Sequence, residues 1–252
     1  MIDTHCHLDF EDFDEDRENV VERAKKEMTA IINSGTSFDG NISSLKLANK
    51  HDGFIYTSFG FHPISSAKIG EEVLNKVINQ TISHMDEIVA IGEVGLDFFY
   101  VKDKSEREKQ KKIFHKFAHL ANEYKKPILI HCRDAERKAF NIIKDYEDIP
   151  EVIFHCFSGS LKTAKRIMNL DYKMSVATMI CYSKKHQDLF KEIPLEYILT
   201  ETDSPYLALE RGLRNEPVNV KNAIKKIAQL KGISYGEVDK ITESTAKKVF
   251  GI

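Results

Sequence analysis

The chain has 252 residues, of which 42% are hydrophobic and 30% charged, with a formal net charge of −2. That length carries one large domain with a sizeable core and sits at the ~250 residues typical of a (β/α)8 barrel. The mixed charges exclude a global basic field for gathering long nucleic acid, the four cysteines are too few for a disulfide framework, and no apolar run nears the ~20 residues of a membrane span.

The opening residues, Met1 to His5, lack a basic segment followed by an apolar core, so the sequence reads as cytoplasmic. Short β-rich runs then alternate with longer amphipathic ones, at 2–5, 30–34, 54–60, 88–93, 127–132, 152–157, 172–177 and 196–201. Eight such units without a linker or repeated motif predict an α/β chain, a single-domain TIM barrel over residues 1–252. Ile113, Phe117, Ala121 and Tyr124 recur at helical spacing and predict the buried stripe of an outer helix. The seventh unit is the weakest, since the run Tyr172 to Ala177 is followed by only a short helical stretch near 184–192. Two more helices are expected at 217–231 and 235–250, the second opened by Ser234 and Glu237 at capping-box spacing.

Candidate metal ligands sit at the ends of five of the eight runs: His5 and His7, Glu93, His131, His155 and Asp203. A parallel barrel gathers its strand ends around one mouth, so ligands remote in sequence converge there. Period-two alternation puts Asp3, His5 and His7 on one face and turns Cys6, Cys132 and Cys156 away from their histidine neighbours, toward the outer helices. His115 and His119 have the spacing of a helical zinc pair, but each lies far from the apolar stripe around Phe117 and faces solvent. His51, His84 and His186 receive no role.

Six mixed imidazole and carboxylate ligands suit two divalent ions, with Glu93 as the natural bridge. His5, His7 and Asp203 complete one site, and His131 with His155 the other. Such ligands favour Zn or Mn, with Mg preferring more oxygen.

The blocks Asp3 to Leu8, Gly60 to Pro63, Ile91 to Asp97, Ile130 to Ala135, His155 to Gly159 and Glu201 to Tyr206 together resemble the TatD-type deoxyribonucleases, metal-dependent hydrolases on amidohydrolase-like barrels. The block Arg211 to Pro217 is similar to that family's substrate-side loop. The resemblance implies the metal roles above, places Asp203 at the attacking water, and implies DNA as partner, cut from a 3′ end as single strands or 3′ ends. It departs in a short connection between Leu207 and Arg211 and in Thr245, where the family commonly has Asn.

Around the metals, His62 is expected near a nonbridging phosphate oxygen or as a donor beside the ligands. Arg133 suits a bidentate phosphate contact, or else a salt bridge to Asp134 or Glu136. Glu201 either holds a catalytic water or orients a histidine ligand. Arg211, Arg214 and Asn215 are candidate phosphate or sugar contacts, and Phe98, Phe99 and Tyr100 are candidate stacking rings or rim packing. A monomer is expected. Two further readings stay open: an amide or ester hydrolase such as an aminoacyl-tRNA deacylase, and a nonenzymatic metal-dependent binder of nucleic acid.

Overall fold

The computed structural model describes the whole chain, Met1–Ile252. Strands β1 (Ile2–Cys6), β2 (Ala30–Ser34), β3 (Ile55–Phe59), β4 (Ala90–Asp97), β5 (Ile128–Arg133), β6 (Val152–Phe154), β7 (Lys173–Val176) and β8 (Ile198–Thr200) pair in parallel in their sequence order. Between them lie α1 (Arg17–Lys25), α2 (Phe38–Lys50), α3 (Pro63–Ser66), α4 (Glu71–Ser83), α5 (Lys104–Glu123), α6 (Glu136–Ile143), α7 (Leu161–Met168) and α8 (Lys184–Glu192). The chain ends with α9 (Val220–Lys231) and α10 (Tyr235–Phe250). This is the expected TIM barrel. None of its helices is long and apolar enough to cross a membrane.

The strands are apolar on both faces, as a sheet enclosed by helices requires. One face, with Ile31, Ile91, Ile130, Val152 and Phe154, joins the helices in a core of 53 buried residues. The other, with Ile2, Ala30, Ile32, Ala90, Leu129, Ile153 and Leu199, packs with Ala246, Val249 and Phe250 of α10. The last helix therefore stoppers one end of the barrel, and the candidate ligands gather at the other.

The seam between β8 and β1 positions the site. Thr4 Oγ1 donates to the Thr200 carbonyl at 3.1 Å. Just past β8, Asp203 N donates to His5 O at 2.9 Å, and His7 N donates to Ser204 O at 2.8 Å. Closing the barrel thus sets Asp203 beside both histidines of β1.

Several boundaries differ from the sequence expectation. β4 continues to Asp97, and β6 and β8 stop at Phe154 and Thr200. Register shifts between Asp3 and Cys6 in β1 and between Ile91 and Val94 in β4 break strict alternation. They explain how Ala90 faces the stoppered end while Glu93, three residues on, enters the mouth. Gly95 (φ 145°) follows the second shift, and a Cβ there would lie 2.1 Å from the His131 carbonyl, so only glycine lets β4 and β5 approach. Tyr124 leaves the predicted stripe because it caps α5 and is 39% exposed. The expected helix from 217 begins with a 3-10 turn, Pro217–Asn219, before α9. Ser234 Oγ caps α10 by accepting from Glu237 N at 3.2 Å, and Thr245 only back-bonds to the Ile241 carbonyl at 2.9 Å.

Candidate metal centre

All six sequence-derived ligands converge at the open end. His5 Nε2 lies 3.3 Å from His7 Nε2, and Glu93 Oε2 lies 3.4 Å from the first and 3.6 Å from the second. Asp203 Oδ1 completes this group at 3.8 and 3.6 Å from the same nitrogens. On the other side of the carboxylate, Glu93 Oε1 lies 2.6 Å from His131 Nδ1 and 2.9 Å from His155 Nε2, which are 3.2 Å apart. Each oxygen of Glu93 therefore faces its own imidazoles, Oε2 those of His5 and His7 and Oε1 those of His131 and His155, with His62 at 3.4 Å beside the second group. The donor set passes a simple test: tetrahedral Zn with ligands at about 2.0–2.2 Å holds them about 3.3–3.6 Å from one another. In the first group four of the five distances fall in that range and His5 to Asp203, at 3.8 Å, is slightly longer, while the second group is drawn slightly tighter.

Three of the four nitrogens turned away from the cluster are anchored. His5 Nδ1 meets Ser34 Oγ at 3.1 Å, His7 Nδ1 the Ser34 carbonyl at 2.9 Å, and His131 Nε2 Asp97 Oδ2 at 3.1 Å. His155 Nδ1 faces Glu201 Oε1 at 3.6 Å, an ion-pair approach without a hydrogen bond. Anchors of this kind fix ring orientation and leave the inner nitrogen free to coordinate. Ser34 and Asp97 carry no role in the sequence analysis. Asp97 was within reach of it, since Glu93, Gly95 and Asp97 alternate along one face of β4.

Charge is poised for cation uptake. Burial alone would push Glu93 up, yet His155, His62 and His131 hold it well below the ordinary carboxylate range. Burial lowers His7, but its bond to Asp203 and the charge of Glu93 prevail and raise it to about 9. Without metal, His7 thus keeps a proton that coordination must expel. Zn or Mn binding at neutral pH is expected to release protons, with affinity rising until the pH passes about 9. Calorimetry in buffers of different ionisation heat measures this, and a buffer-independent heat would contradict it.

The remaining candidates divide. His62 Nε2 lies 3.4 Å from Glu93 Oε1, its Nδ1 accepts from Ile64 N at 3.3 Å, and burial lowers its pKa to about 4. It borders the cleft as a neutral ring. Arg133 forms neither expected salt bridge; its guanidinium sits 4.2 Å from the Phe99 ring centroid and 4.9 Å from that of Tyr100. Phe98 is buried beneath them, a packing residue. Glu201 does not reach the cleft: both oxygens are used, accepting from Cys156 N at 2.8 Å and Ser175 Oγ at 2.5 Å, which leaves it the orienting alternative. Asp3 also departs from the ligand face, accepting from Thr202 N at 2.9 Å and so clamping the segment that carries Asp203.

The loop residues are mostly structural. Arg211 is exposed but lines no part of the cleft, and Arg214 makes a forked pair with Asp16 at 2.7 and 2.8 Å. Asn215 is fully buried; its amide donates to Thr178 Oγ1 at 3.0 Å and the Thr202 carbonyl at 3.1 Å, and its oxygen accepts from Glu216 N at 3.0 Å. Asn215→Ala is expected to cost about 1–3 kcal/mol by orphaning these groups. A lower Tm with unchanged KM is the expected signature, and a raised KM at unchanged Tm would restore a direct substrate role. His115 and His119 are exposed, as expected. Cys6 and Cys132 are buried in the outer core, whereas Cys156 lies beyond the end of β6 at φ 45° and borders the cleft. Alternation ends with the strand.

The TatD related DNase family matches residues 2–251. The chain belongs to that family. It is 43% identical to an uncharacterized metal-dependent hydrolase of Methanocaldococcus jannaschii over 98% of this chain and 95% of that protein. It is 28% identical to the 3′-5′ ssDNA/RNA exonuclease TatD of Rahnella sp., covering 100% of this chain and 98% of that one. The crystal structure of a TatD homologue from Escherichia coli superposes with a TM-score of 0.91 at 29% identity, covering 100% and 98% of the two chains. Membership makes this TatD-family chain a hydrolase acting on ester bonds.

Proposed function

We propose that this TatD-family chain is a two-metal deoxyribonuclease that removes nucleotides from the 3′ end of DNA. The observation that carries the reading is the split of Glu93, whose two oxygens each face a separate imidazole pair beneath an open cleft. The 3′ polarity is supported by the exonuclease relative and is the part most directly open to test.

His5, His7 and Asp203 would hold one divalent ion, His131 and His155 the second, with Glu93 shared. When bound, such ions lower the pKa of water toward ~7 and offset charge developing on phosphoryl oxygens. Asp203 is the ligand most open to the cleft at 17% exposure, against 3% for Glu93. Its carboxylate is therefore placed to accept the proton of the attacking water. Burial would raise its pKa, but the His7 hydrogen bond and the neighbouring imidazoles hold it below the ordinary range, so it stands ready as a base. Neutral His62 offers a ring N–H to a phosphate oxygen from the opposite rim, and Asp97 and Glu201 keep His131 and His155 in place. Four carboxylates balance two divalent ions, so the site has little surplus charge with which to draw in DNA. Arg133, at the lip and free of acidic partners, supplies the positive charge that meets the phosphate.

End-labelled oligonucleotides protected at the 3′ or 5′ end, assayed across Mg, Mn and Zn, test the reading. A ladder blocked by 3′ protection is expected. Uniform internal cuts would overturn the polarity, and turnover of aminoacyl-tRNA or a simple amide without any DNA cleavage would overturn the nuclease assignment.

A further inference from the structure

The cleft above the metal centre has two arms that meet at His131, Arg133, His155, Asp203 and Leu207. One, the polar arm of about 630 Å³, carries charged and hydroxyl side chains, Ser158, Ser160, Lys185, Asp134 and Glu136, beside Phe99 and Met179. The other, of about 690 Å³, is walled by Phe10, Ile64, Tyr100 and Tyr206 and, apart from the metal-site carboxylates, contains no acid.

The aromatic arm has a defined shape. Phe10 stacks on the ligand His7 with centroids 4.7 Å apart and planes 11° from parallel. Tyr206, three residues after Asp203, stands nearly perpendicular to Phe10, at 76° and 6.3 Å. The two rings form a corner beside the proposed attack site. Tyr206 is 53% exposed, which leaves a large aromatic face in water unless something flat covers it, whereas Tyr100 across the arm already carries the Arg133 guanidinium.

We propose that Phe10 and Tyr206 form a base-stacking subsite that takes the unpaired terminal base of the strand being cut, while the rest of the strand leaves along the polar arm. This rests on the nuclease reading above. A flat heterocycle lying on one ring meets the other edge to face, which is the favoured geometry for aromatic pairs. Stacking tolerates every base, so the corner selects for an exposed terminal nucleotide and not for sequence. A base still paired in a duplex cannot enter.

The test compares single strands with a normal or an abasic 3′-terminal nucleotide. Wild-type protein is expected to show about tenfold higher KM on the abasic end, the loss of one base–aromatic stack. Tyr206→Ala should raise KM on the normal end by the same factor and suffer no further loss when the base is absent; Tyr206→Phe should behave as wild type, because the ring face and not the hydroxyl makes the contact. In parallel, 2-aminopurine at the 3′ end should be quenched on binding to Zn-loaded Asp203→Asn protein, and the added Tyr206→Ala change should abolish the quenching. Equal KM for normal and abasic ends, additive losses, or unquenched 2-aminopurine would overturn the subsite while leaving cleavage intact. Absence of cleavage of every oligonucleotide by the wild-type protein would instead overturn the nuclease reading beneath it.

Discussion

Glu93→Gln is expected to lower kcat/KM by more than about 10³-fold, beyond the 10²–10³ that follows removal of a single electrostatic stabiliser. The substitution is nearly isosteric, so the fold should persist. What changes is that one amide oxygen cannot serve two imidazole pairs, and the new NH2 group points a donor into one of them. Glu93 Oε1 is within 2.6 Å of His131 and 2.9 Å of His155, and Oε2 within 3.6 Å of His5 and His7, so whichever way the amide turns, one group loses its shared oxygen. Metal content measured on the purified protein should fall together with turnover. Retention of full metal content and activity would show that Glu93 is not the shared ligand.

Asp203→Asn is the second large effect, a loss of about 10²–10⁴-fold in kcat, the range for removing a positioned proton acceptor. Because Asp203 also stands 3.6 Å from His7 Nε2, the variant is expected to need more metal, and the rate must be read at saturating metal. A loss that persists there with KM nearly unchanged identifies the proton acceptor. Full recovery with added metal would reduce Asp203 to a ligand only.

Much of this site was legible in the sequence because a parallel barrel converts strand order into spatial order. His131 follows Ile130 at a regular position of β5, where simple alternation predicts its direction, and His155 is the first residue past Phe154 at the end of β6. Two strands broke that rule. The shifts in β1 and β4 come from local backbone geometry at Asp3 and at the Gly92 to Gly95 segment, which hydrophobic periodicity does not register. Asp3 therefore clamps Thr202 instead of joining His5 and His7. Residues past a strand end were the least legible. Cys156, Glu201 and Asp203 lie where no periodicity applies: a hydrogen bond between the segments after β6 and β8 sets the first two, and one across the β8–β1 seam sets Asp203. Asn215 and Arg214 misled for a related reason: a polar residue in a loop has the same one-dimensional appearance whether it faces substrate or, as here, ties the loop down from within.

In the proposed mechanism Glu93 joins two ions. Electron paramagnetic resonance of the protein titrated with Mn²⁺ tests it most directly, since ions sharing a carboxylate about 3.5–4 Å apart are magnetically coupled. Uptake of two Mn²⁺ per chain is expected, with an exchange-coupled spectrum that is lost in Glu93→Gln. A single bound ion, or two ions with the spectra of isolated Mn²⁺, would contradict it.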